Sequence, residues 1–484
     1  MQWQLSIYTK LNLEDKTPKV ISDHTGILSS ASFLSFLDEK AVSYLVTDKV
    51  PEMLSASGAL PVLLILTNIK DIPAFITNKF QHRQFTHADI PLNGEIAGIL
   101  NALSAASLIR LLNYVYATDR HLIVTKYTIE SLLSFAKTHA CISIVSSLLE
   151  QITLLLQTVP QFDTILQLGK LWGKVVYLSV IHQDTRYENY IQKVDAFAAS
   201  FITSNGMQQA TFASTIKNPK SVDRILANIK SQNDKKIALI CFDCMGFVEW
   251  YLLQEYLSDS NLTFTDIALF TMLPSVTSVS RSAIFHGSQD VYNIKSPGRA
   301  DEAKAFANYF TEKEVKYFTD ADVINEDTLL GYDCISILYS FFDDLSHSAK
   351  FPPNHSNKSL YFDAVKGYLN NSKVLQTLKT LHSNDFTVYI CSDHGSVVAF
   401  GNGQKLDKYL IDNFAKRAVI VPEASADLIE HTKIKIPFVE GKIIVLPEGR
   451  TMFANNNQIE INHGGITVEE IVVPYIKIST NGEK

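Results

Sequence analysis

Acidic and imidazole side chains gather in the second half of the sequence, most of them at the ends of apolar runs. The run "KIALICFD" stops at an aspartate, "DCISILYSFFDD" stops at two, and "FTVYICSDHG" contains an Asp-His pair. This mixture suits two zinc-like divalent ions, because borderline metals accept both carboxylate oxygen and imidazole nitrogen. Three carboxylates packed together without cations would repel one another. The candidate metal ligands of these types are Asp243, Asp343, His347, Asp393, His394 and His463.

Local spacing supports this chemistry. Asp343 and His347 stand four residues apart, which places both side chains on one face of a helical turn. Asp344 competes with Asp343 for this role, and the spacing favours Asp343. Gly395, directly after the Asp-His pair, is expected to turn the chain without a side chain that would crowd the metal pocket. Taken singly, each aspartate that follows a strand is also explained as a turn former or a helix cap.

Thr277, in "LPSVTSVSRSAIFHG", is the candidate nucleophile. A threonine hydroxyl becomes nucleophilic when coordination to a divalent ion helps to remove its proton. The following residues predict a helix whose N-terminus favours an anionic phosphoryl group, and Arg281, one turn on, is the candidate substrate-binding residue. The alternative is that Ser275, Thr277, Ser278 and Ser280 are only loop and capping residues.

The elements that must position these residues alternate regularly in the second half of the chain. From about residue 230 onward, apolar β-type runs alternate with helix-like segments, which predicts a doubly wound, mostly parallel sheet. The polar strand ends then meet along the carboxyl edge of that sheet. Before it, the sequence predicts a smaller N-terminal α/β unit and a helical middle region that ends in a linker at residues 204–224. The expected domains are residues 1–110, 111–228 and 229–484.

Composition excludes several classes of protein. Fifty acidic and 43 basic residues give a net charge of −7, so no broad nucleic-acid-binding surface is expected. We expect neither a signal peptide nor a membrane span, because polar residues interrupt the apolar stretch "CISIVSSLLEQITLLLQTV". Five scattered cysteines fit reduced core thiols in a cytoplasmic protein. Cys241 and Cys244 form a C-x-x-C that a redox pair or half a zinc site would also explain, but structural cysteines are the preferred interpretation.

Five segments, taken in order, resemble the PglZ domain, a branch of the alkaline phosphatase superfamily. They are "CFDCMG", "LPSVTSVSRSAIFHG", "SFFDDLSH", "CSDHG" and "NHGGITVEEIVVP", and the resemblance covers residues 235–478. It implies a doubly wound α/β core with two adjacent divalent metal ions, usually Zn²⁺. By position, it assigns Asp243, Thr277, Asp393 and His394 to one ion. The other ion takes Asp343, His347 and His463.

The resemblance also implies a mechanism. Thr277 aligns with the superfamily's nucleophile, which attacks phosphorus to give a phosphothreonine that water then hydrolyses. The P-S-x-T spacing, similar to that of the superfamily's phosphodiesterase branch, favours Thr277 over Ser275 and favours diesters as substrates. Candidates for further phosphate-binding groups are Asn293, Lys295 and Arg299. Other nearby aromatic and basic side chains fit core and exposed-helix positions better than a nucleotide path: Tyr292, Tyr309, Phe310, Lys313 and Lys316.

We therefore expect a metal-dependent phosphoesterase, a phosphodiesterase acting on nucleotide-type substrates through Thr277 and two divalent ions. Other PglZ proteins belong to anti-phage defence systems, so proteins of a BREX-type system are the expected partners. The alternative function is a non-catalytic scaffold or phospho-ligand sensor in a defence complex, because the first half of the chain carries no catalytic signature of its own. A sulfatase or a mutase is disfavoured, since the sequence lacks the C/S-x-P-x-R pattern of the first and the cap domain typical of the second.

Overall fold

The computed structural model describes most of the chain, and the chain forms two compact units. The units are residues 1–144 and 145–484. The three-part division expected from the sequence, with boundaries after residues 110 and 228, stays a prediction. The described residues are 2–49, 52, 62–67, 72–74, 76, 80–92, 94–204, 214–258, 260, 262–349, 357–404, 413–436 and 439–480.

A four-stranded sheet forms the centre of the first unit. Its strands are β1 (Lys19–Asp23), β2 (Tyr44–Thr47), β3 (Leu63–Thr67) and β4 (Gln81–Phe85). They lie in the order β2-β3-β1-β4, and all the pairs are parallel. Every residue of β1 is buried, as expected of a central strand covered on both faces. The helices of this unit are α1 (Trp3–Lys10), α2 (Ala31–Glu39), α3 (Ala97–Leu100) and α4 (Ala105–Ala117). The expected N-terminal α/β unit is present.

Three long helices form the expected helical region: α5 (Ile129–Leu156), α6 (Phe162–His182) and α7 (Ile191–Thr203). The division between the two units falls within α5. Among the described residues, α5 alone is long and apolar enough to cross a membrane, a judgement on length and composition only. One such helix is weak evidence, and the absence of a membrane span stays a prediction. Residues 205–213 of the predicted linker lie outside the described residues.

The second unit contains the sheet that positions the candidate site. Its strands are β5 (Ile237–Phe242), β6 (Leu262–Phe270), β7 (Val315–Thr319), β8 (Cys334–Tyr339), β9 (Thr387–Ser392), β10 (Val397–Gly401), β11 (Asn413–Ala415), β12 (Ala418–Pro422), β13 (Thr432–Lys435), β14 (Lys442–Leu446), β15 (Thr451–Met452), β16 (Ile459–Asn462) and β17 (Val472–Thr480). Six of them form the main sheet in the order β6-β17-β9-β5-β8-β7.

Strand directions in the main sheet bring the predicted strand ends to one edge. The strands β9, β5, β8 and β7 pair in parallel. β17 is antiparallel to both β9 and β6, so β6 runs in the same direction as β9. The carboxyl ends of β5, β6, β8 and β9 therefore share an edge, and β17 begins there, with Val472 opposite Phe270.

Helices cover this sheet on both faces. Every residue of β5 and of β8 is buried, and both strands are accordingly apolar except for Ser336 in β8. This mixed, largely parallel sheet with its helices matches the expected fold class. The helices of this part of the chain are α8 (Ile225–Ser231), α9 (Phe247–Tyr256), α10 (Thr277–His286), α11 (Arg299–Tyr309), α12 (Glu326–Leu329), α13 (Phe341–Ser348), α14 (Ser359–Asn371), α15 (Val374–Ser383), α16 (Glu423–Ala426) and α17 (Val468–Ile471).

Two smaller sheets are inserted between β9 and β17. One has three strands in the order β15-β10-β16, and the other has four antiparallel strands in the order β11-β12-β14-β13. Neither of these sheets is among the elements predicted from the sequence. Together they separate the Asp393-His394 pair from His463 by 68 residues along the chain, yet β17 begins at the carboxyl edge of the main sheet, so the chain has returned to that edge shortly after His463.

Candidate metal centre

A first cluster of ligand atoms forms where the neighbouring strands β5 and β9 end. Phe242 is paired with Ser392 in the parallel register, so the next residues, Asp243 and Asp393, lie side by side. The Nε2 atom of His394 lies 3.7 Å from Asp243 Oδ1 and 3.6 Å from Asp393 Oδ2. All three side chains are buried, and one ligand atom from each lies within 4.8 Å of the others. The strand ends therefore bring two carboxylates and one imidazole together.

A second cluster forms beyond the end of β8. Helix α13 begins there and carries Asp343 and His347 one turn apart. The Oδ1 atom of Asp343 lies 3.3 Å from His347 Nε2 and 3.6 Å from His463 Nε2. The side chain of His347 is 51% exposed, so this cluster is more open to solvent than the first. The spacing of Asp343 and His347 produces the contact it predicts, whereas the neighbouring Asp344 is exposed and lies outside the cluster.

The two clusters lie next to each other. The rings of His394 and His463 stack, with their centroids 4.0 Å apart and an angle of 17° between their planes. His394 belongs to the first cluster and His463 to the second. The structure thus brings the six predicted aspartate and histidine ligands into one crevice at the edge of the sheet.

Backbone carbonyls orient both stacked imidazoles. His394 Nδ1 lies 3.2 Å from the carbonyl oxygen of Gly395, and His463 Nδ1 lies 3.3 Å from that of Ser275. A carbonyl only accepts hydrogen bonds, so in each ring Nδ1 carries the proton and Nε2 keeps its lone pair. The Nε2 atoms are the ones that face the carboxylates. Metal-binding histidines commonly donate their second ring N–H to such an acceptor.

Thr277 is the first residue of α10 and faces the first cluster. Its Oγ1 lies 3.0 Å from His394 Nε2 and 3.4 Å from Asp243 Oδ1. Ser275, the alternative nucleophile, is fully buried; its hydroxyl donates to the carbonyl of Gly465 over 2.8 Å and accepts from the backbone N–H of Gly464 over 3.2 Å. The hydroxyl of Ser275 therefore links two loops, and that of Thr277 points at the predicted ligands.

The loop that carries His463 is fixed by a buried ion pair. Arg417 donates two hydrogen bonds to the Glu470 carboxylate, at 2.7 and 2.8 Å, and both side chains are at most 1% exposed. Glu470 also accepts from the backbone N–H of Gly465 and from the N–H and hydroxyl of Thr467. Thr467 and Glu470 form the capping box of α17, as their spacing suggests.

The structure gives a different reason from the expected one for a glycine at position 395. A Cβ atom there would lie 2.0 Å from the carbonyl oxygen of Glu469 and 2.9 Å from the Cα of Gly246. The side chain is absent because the backbones of three segments approach closely behind the ligands, and the metal pocket itself is not what a Cβ would meet.

Arg281 lies beside the first cluster but contacts protein carboxylates. Its guanidinium forms an ion pair with Asp243 Oδ2 and donates from Nε to Glu302 Oε1 over 2.8 Å. Tyr317 donates to the other oxygen of Glu302 over 2.7 Å. Arg281 is 7% exposed. The contacts that this arginine makes are therefore with Asp243 and its surroundings, and its predicted contact with substrate stays a prediction.

Burial shifts the protonation of the first cluster toward neutral forms. Burial and the neighbouring Asp393 raise the pKa of Asp243 to about 7, against the effect of Arg281, and burial raises the pKa of Asp393 to about 6. In the second cluster, burial opposes ionisation of Asp343, but contact with His347 and the proximity of the His463 ring lower its pKa to about 2. Two adjacent buried carboxylates favour a bound cation, which would remove the repulsion between them.

The histidines complement these carboxylates. Burial lowers the pKa of His394, and burial together with His394 lowers the pKa of His463 to about 4. Both rings are therefore neutral at ordinary pH, which is the form that binds a metal. In contrast, contact with Asp343 raises the pKa of His347.

Two carboxylate oxygens without hydrogen-bond partners indicate whether metal ions fit the two clusters. Among the described residues, four buried carboxylate oxygens have no hydrogen-bond partner, on Glu249, Asp266, Asp343 and Asp393, and two of them, Asp343 Oδ1 and Asp393 Oδ2, belong to predicted ligands. The other oxygen of Asp393 accepts from the backbone N–H groups of Cys244 and His394, at 3.1 and 2.9 Å. Buried charged oxygens are seldom left unsatisfied, and each of these two belongs to one of the clusters. The donor set and its geometry fit one divalent ion in each cluster.

The remaining candidates lie apart from the clusters. Asn293 and Lys295 line a cavity that also includes Ser278, the residue after Thr277. Arg299 donates to the hydroxyl of Ser340 over 2.8 Å. None of the five cysteines, all of which are among the described residues, forms a disulfide, and the buried Cys241 and Cys244 are not part of either cluster.

Several residues that hold the predicted ligands in place were not predicted from the sequence. These include Ser275 as a link between loops, Glu302 beneath Arg281, and Arg417 opposite Glu470. Another is Lys358, which is buried against Glu249 and the carbonyl of Ser396. A buried charged residue far from its partner along the chain gives no spacing signal in a single sequence.

Comparison with known proteins gives one family match. Residues 222–478 match the family described as "BREX system PglZ alkaline phosphatase-like domain". A curated relative, the alkaline phosphatase-like protein PglZ of Bacillus cereus (strain H3081.97), is 23% identical over 239 residues. That match covers 46% of this chain and 26% of the relative, so the chain spans about a quarter of the relative's length.

Two solved structures that match part of this chain share little sequence with it. Murine ectonucleotide pyrophosphatase/phosphodiesterase 5 is 13% identical, with a TM-score of 0.34, and the match covers 50% of this chain and 87% of that one. Alkaline phosphatase from the Antarctic bacterium TAB5 is 10% identical, with a TM-score of 0.21, over 51% of this chain and 91% of that one. The assignment therefore rests on the family match, which spans more than half of the chain and includes all eight predicted site residues. The chain belongs to the PglZ family of alkaline phosphatase-like proteins.

Proposed function

We propose that this protein is a metal-dependent phosphoesterase that binds two divalent ions, with Zn²⁺ the expected metal. One ion would be held by Asp243, Asp393 and His394 together with Thr277. The other would be held by Asp343, His347 and His463. The observation that carries this proposal is the pair of buried carboxylate oxygens without hydrogen-bond partners, Asp393 Oδ2 and Asp343 Oδ1, which lie 3.6 Å from the Nε2 atoms of His394 and His463.

Thr277 is the proposed nucleophile. Its Oγ1 contacts His394 and Asp243, while the hydroxyl of Ser275 is engaged by two backbone groups. Thr277 also begins helix α10, whose N-terminus favours an anionic phosphoryl group. Divalent ions, when bound, polarise phosphoryl oxygens and lower the pKa of a coordinated hydroxyl. In the proposed reaction Thr277 Oγ1 forms a bond to phosphorus, the leaving oxygen departs with its electron pair, and water then cleaves the phosphothreonine.

The proposed substrates are phosphodiesters of the nucleotide type. The P-S-x-T spacing around Thr277, similar to that of phosphodiesterases of this superfamily, supports diesters. The description of the matching family supports a role in a BREX-type anti-phage system, with proteins of that system as partners. The proposed location is the cytoplasm, which cysteines without disulfides support.

The test is hydrolysis of bis(p-nitrophenyl) phosphate and of p-nitrophenyl phosphate by the purified protein, with and without a chelator. We expect chelation to abolish hydrolysis, added Zn²⁺ to restore it, and the diester to be the better substrate. Thr277→Ala is expected to lower kcat by about a thousandfold or more, because the nucleophile is removed. Thr380→Ala, in the last turn of α15, is a matched control that should keep full activity.

Two results would contradict this proposal separately. Undiminished hydrolysis by Thr277→Ala would rule out the covalent mechanism, and elemental analysis that finds no divalent ion in the purified protein after incubation with Zn²⁺ would rule out the metal centre. A protein that holds two ions and binds phosphorylated ligands without turnover would support the alternative, a phospho-ligand sensor or scaffold.

A further inference from the structure

Glu302 is a buried carboxylate near the first cluster that the proposed mechanism does not use. It lies in the first turn of α11, is 2% exposed, and belongs to neither cluster of ligand atoms. Its Oε1 accepts from Arg281 Nε over 2.8 Å, and its Oε2 accepts from the hydroxyl of Tyr317 over 2.7 Å. Burying a charged carboxylate costs free energy unless it is paired, and the cation that pairs with Glu302 is Arg281.

Buried aromatic packing holds the three elements that carry these residues. Arg281 lies on α10, Glu302 on α11 and Tyr317 on β7. One turn further along α10 and α11, the rings of Phe285 and Phe306 pack with their centroids 6.0 Å apart, and both residues are fully buried. The ring of Phe285 also lies 5.5 Å from that of Tyr317. The contact between Arg281 and Glu302 is therefore set within a packed core.

Arg281 divides the two oxygens of Asp243. Its guanidinium pairs with Oδ2. The other oxygen, Oδ1, faces the first cluster, 3.4 Å from Thr277 Oγ1 and 3.7 Å from His394 Nε2. Groups that bond to a metal ligand from behind orient it toward the ion. Arg281 thus determines which oxygen of Asp243 is offered to an ion in the first cluster.

The same arginine places a positive charge beside a cluster that is proposed to bind a cation. That charge would repel a divalent ion and compete with it for the charge of Asp243. Glu302 supplies a compensating negative charge through a different nitrogen of the guanidinium. With Asp393, three carboxylates and one guanidinium leave two negative charges, which match one divalent ion. Without the charge of Glu302 only one would remain.

We propose that Glu302 is a positioning residue for the metal ion of the first cluster, and that it acts through Arg281. It compensates the charge of the arginine and holds the guanidinium against Asp243 Oδ2, so that Oδ1 and its negative charge remain available to the ion. In this role Arg281 contacts Asp243 and does not contact the substrate. The inference rests on the proposed function, because it concerns an ion that the proposed function requires.

The substitution Glu302→Gln tests the proposal through metal affinity. We expect the affinity for one of the two Zn²⁺ ions to fall by about tenfold to a hundredfold, and the other ion to bind as in the wild type. The amide can still accept from Arg281 and can donate to the hydroxyl oxygen of Tyr317, so the main change is one of charge. Titration of Zn²⁺ into the metal-free full chain, in competition with a chromogenic chelator, measures both affinities.

Glu255→Gln is the matched control. Glu255 also accepts from a tyrosine hydroxyl over 2.7 Å, that of Tyr177, and pairs with Lys366 at 3.5 Å, but it belongs to neither cluster. The substitution should leave both Zn²⁺ affinities at the wild-type values. Equal losses of affinity in Glu302→Gln and Glu255→Gln, or no loss in Glu302→Gln, would overturn the proposal.

A double variant separates positioning from a general loss of structure. In Arg281→Met with Glu302→Gln, no cation remains beside Asp243 to compete with the ion. We expect the double variant to bind the first ion about tenfold more tightly than Glu302→Gln alone. A merely structural role predicts the opposite order, because the double variant loses both side chains. An affinity equal to or lower than that of Glu302→Gln would contradict the proposal.

Inorganic phosphate distinguishes this role from a contact between Arg281 and the substrate. Calorimetric titration of phosphate into the Zn²⁺-saturated proteins should give equal affinities for the wild type and the double variant. Binding that is about tenfold or more weaker in the double variant would overturn the proposed role of Arg281, since it would show a lost charge-assisted contact.

The metal measurements separate this inference from the proposed function, because they need no turnover. A selective loss of Zn²⁺ affinity in Glu302→Gln, with no hydrolysis of either nitrophenyl ester by the wild type, would support the positioning role and contradict the phosphoesterase. Hydrolysis by a wild type whose Zn²⁺ affinities equal those of Glu302→Gln would do the reverse. A wild type that binds no Zn²⁺ would overturn both.

Discussion

At the scale of single residues, the candidate centre is defined by charges that the fold leaves uncompensated. Asp393 presents one oxygen to two backbone N–H groups and leaves the other, also buried, without a partner. Next to it, Asp243 shares its carboxylate between Arg281 and the cluster. Such an arrangement costs stability unless a cation is bound, as expected if these residues hold the proposed ions at the expense of the metal-free fold.

The substitution Asp393→Asn should separate the effect of Asp393 on stability from its proposed role as a metal ligand. The amide oxygen of Asn can still accept the two backbone hydrogen bonds, while the buried negative charge is lost. We expect the metal-free variant to be as stable as the metal-free wild type or more stable, with a free energy of unfolding higher by on the order of 1 kcal/mol, because burial raises the pKa of Asp393 to about 6. Its unfolding temperature should therefore be unchanged or higher. We also expect a lower metal content per protein, since one ligand has lost its charge.

Thermal unfolding with elemental analysis measures both effects. Asp385→Asn is the matched control, because Asp385 is exposed and has a left-handed backbone (φ +64°) that asparagine tolerates. A metal-free Asp393→Asn protein that is clearly less stable than wild type would contradict this account, as would an unchanged metal content.

At the scale of elements, the strand ends were predictable because each carries its own signal. An apolar run that stops at Asp243, Asp343 or Asp393 is visible in the sequence, and a parallel sheet brings such ends to one edge. The two inserted sheets and the antiparallel direction of β17 were not predicted, because strand pairing is set by contacts between residues distant along the chain. Arg417 and Glu470, 53 residues apart, are another example of a contact without a local pattern.

The ion pair between Arg417 and Glu470 should be a strong structural link between elements. It joins the residue before β12 to helix α17, and so holds the loop that carries His463. Arg417→Met should lower the free energy of unfolding by about 3 kcal/mol or more, because Glu470 would be left as a buried charge without its cation.

Urea denaturation measures this change in the free energy of unfolding, and the neighbouring residue Lys416 provides the control. Lys416 pairs with Glu460 in a half-exposed position, so Lys416→Met should cost at most about 1 kcal/mol. The double variant Arg417→Met with Glu470→Met should recover part of the loss, since no unpaired charge remains. Equal effects of the two single variants would contradict the role assigned to Arg417.

At the scale of the whole molecule, the predicted site belongs to one part of the chain. All eight site residues predicted from the sequence lie within residues 222–478, which match the PglZ family. The sequence could indicate these residues and the fold around them, because the motifs are local and stand in order. It gave no comparable pattern for the first unit, where a parallel α/β sheet is a fold shared by many functions.

The stability of the whole molecule should depend on pH in opposite ways with and without metal. In the metal-free protein, Asp243 and Asp393 have pKa values of about 7 and about 6, both above the usual value of an unfolded chain. The folded state therefore binds more protons than the unfolded state between about pH 4 and pH 7, and the stability that these groups contribute is lost as the pH rises through that range. Bound divalent ions take the place of those protons, and protons compete with them at low pH.

We therefore expect the rise in Tm on adding Zn²⁺ to be small at about pH 5.5 and much larger at about pH 7.5, where both carboxylates are free to bind the metal. His347 should also bind the metal less well at the lower pH, because its raised pKa keeps its ring protonated there. Differential scanning calorimetry in buffers that do not bind Zn²⁺ measures the increment, with Asp385→Asn as the unaffected control and Asp393→Asn expected to show a weaker dependence on pH. An increment in Tm that is the same at both pH values would contradict the protonation states assigned to Asp243 and Asp393, because metal binding would then displace no protons from them.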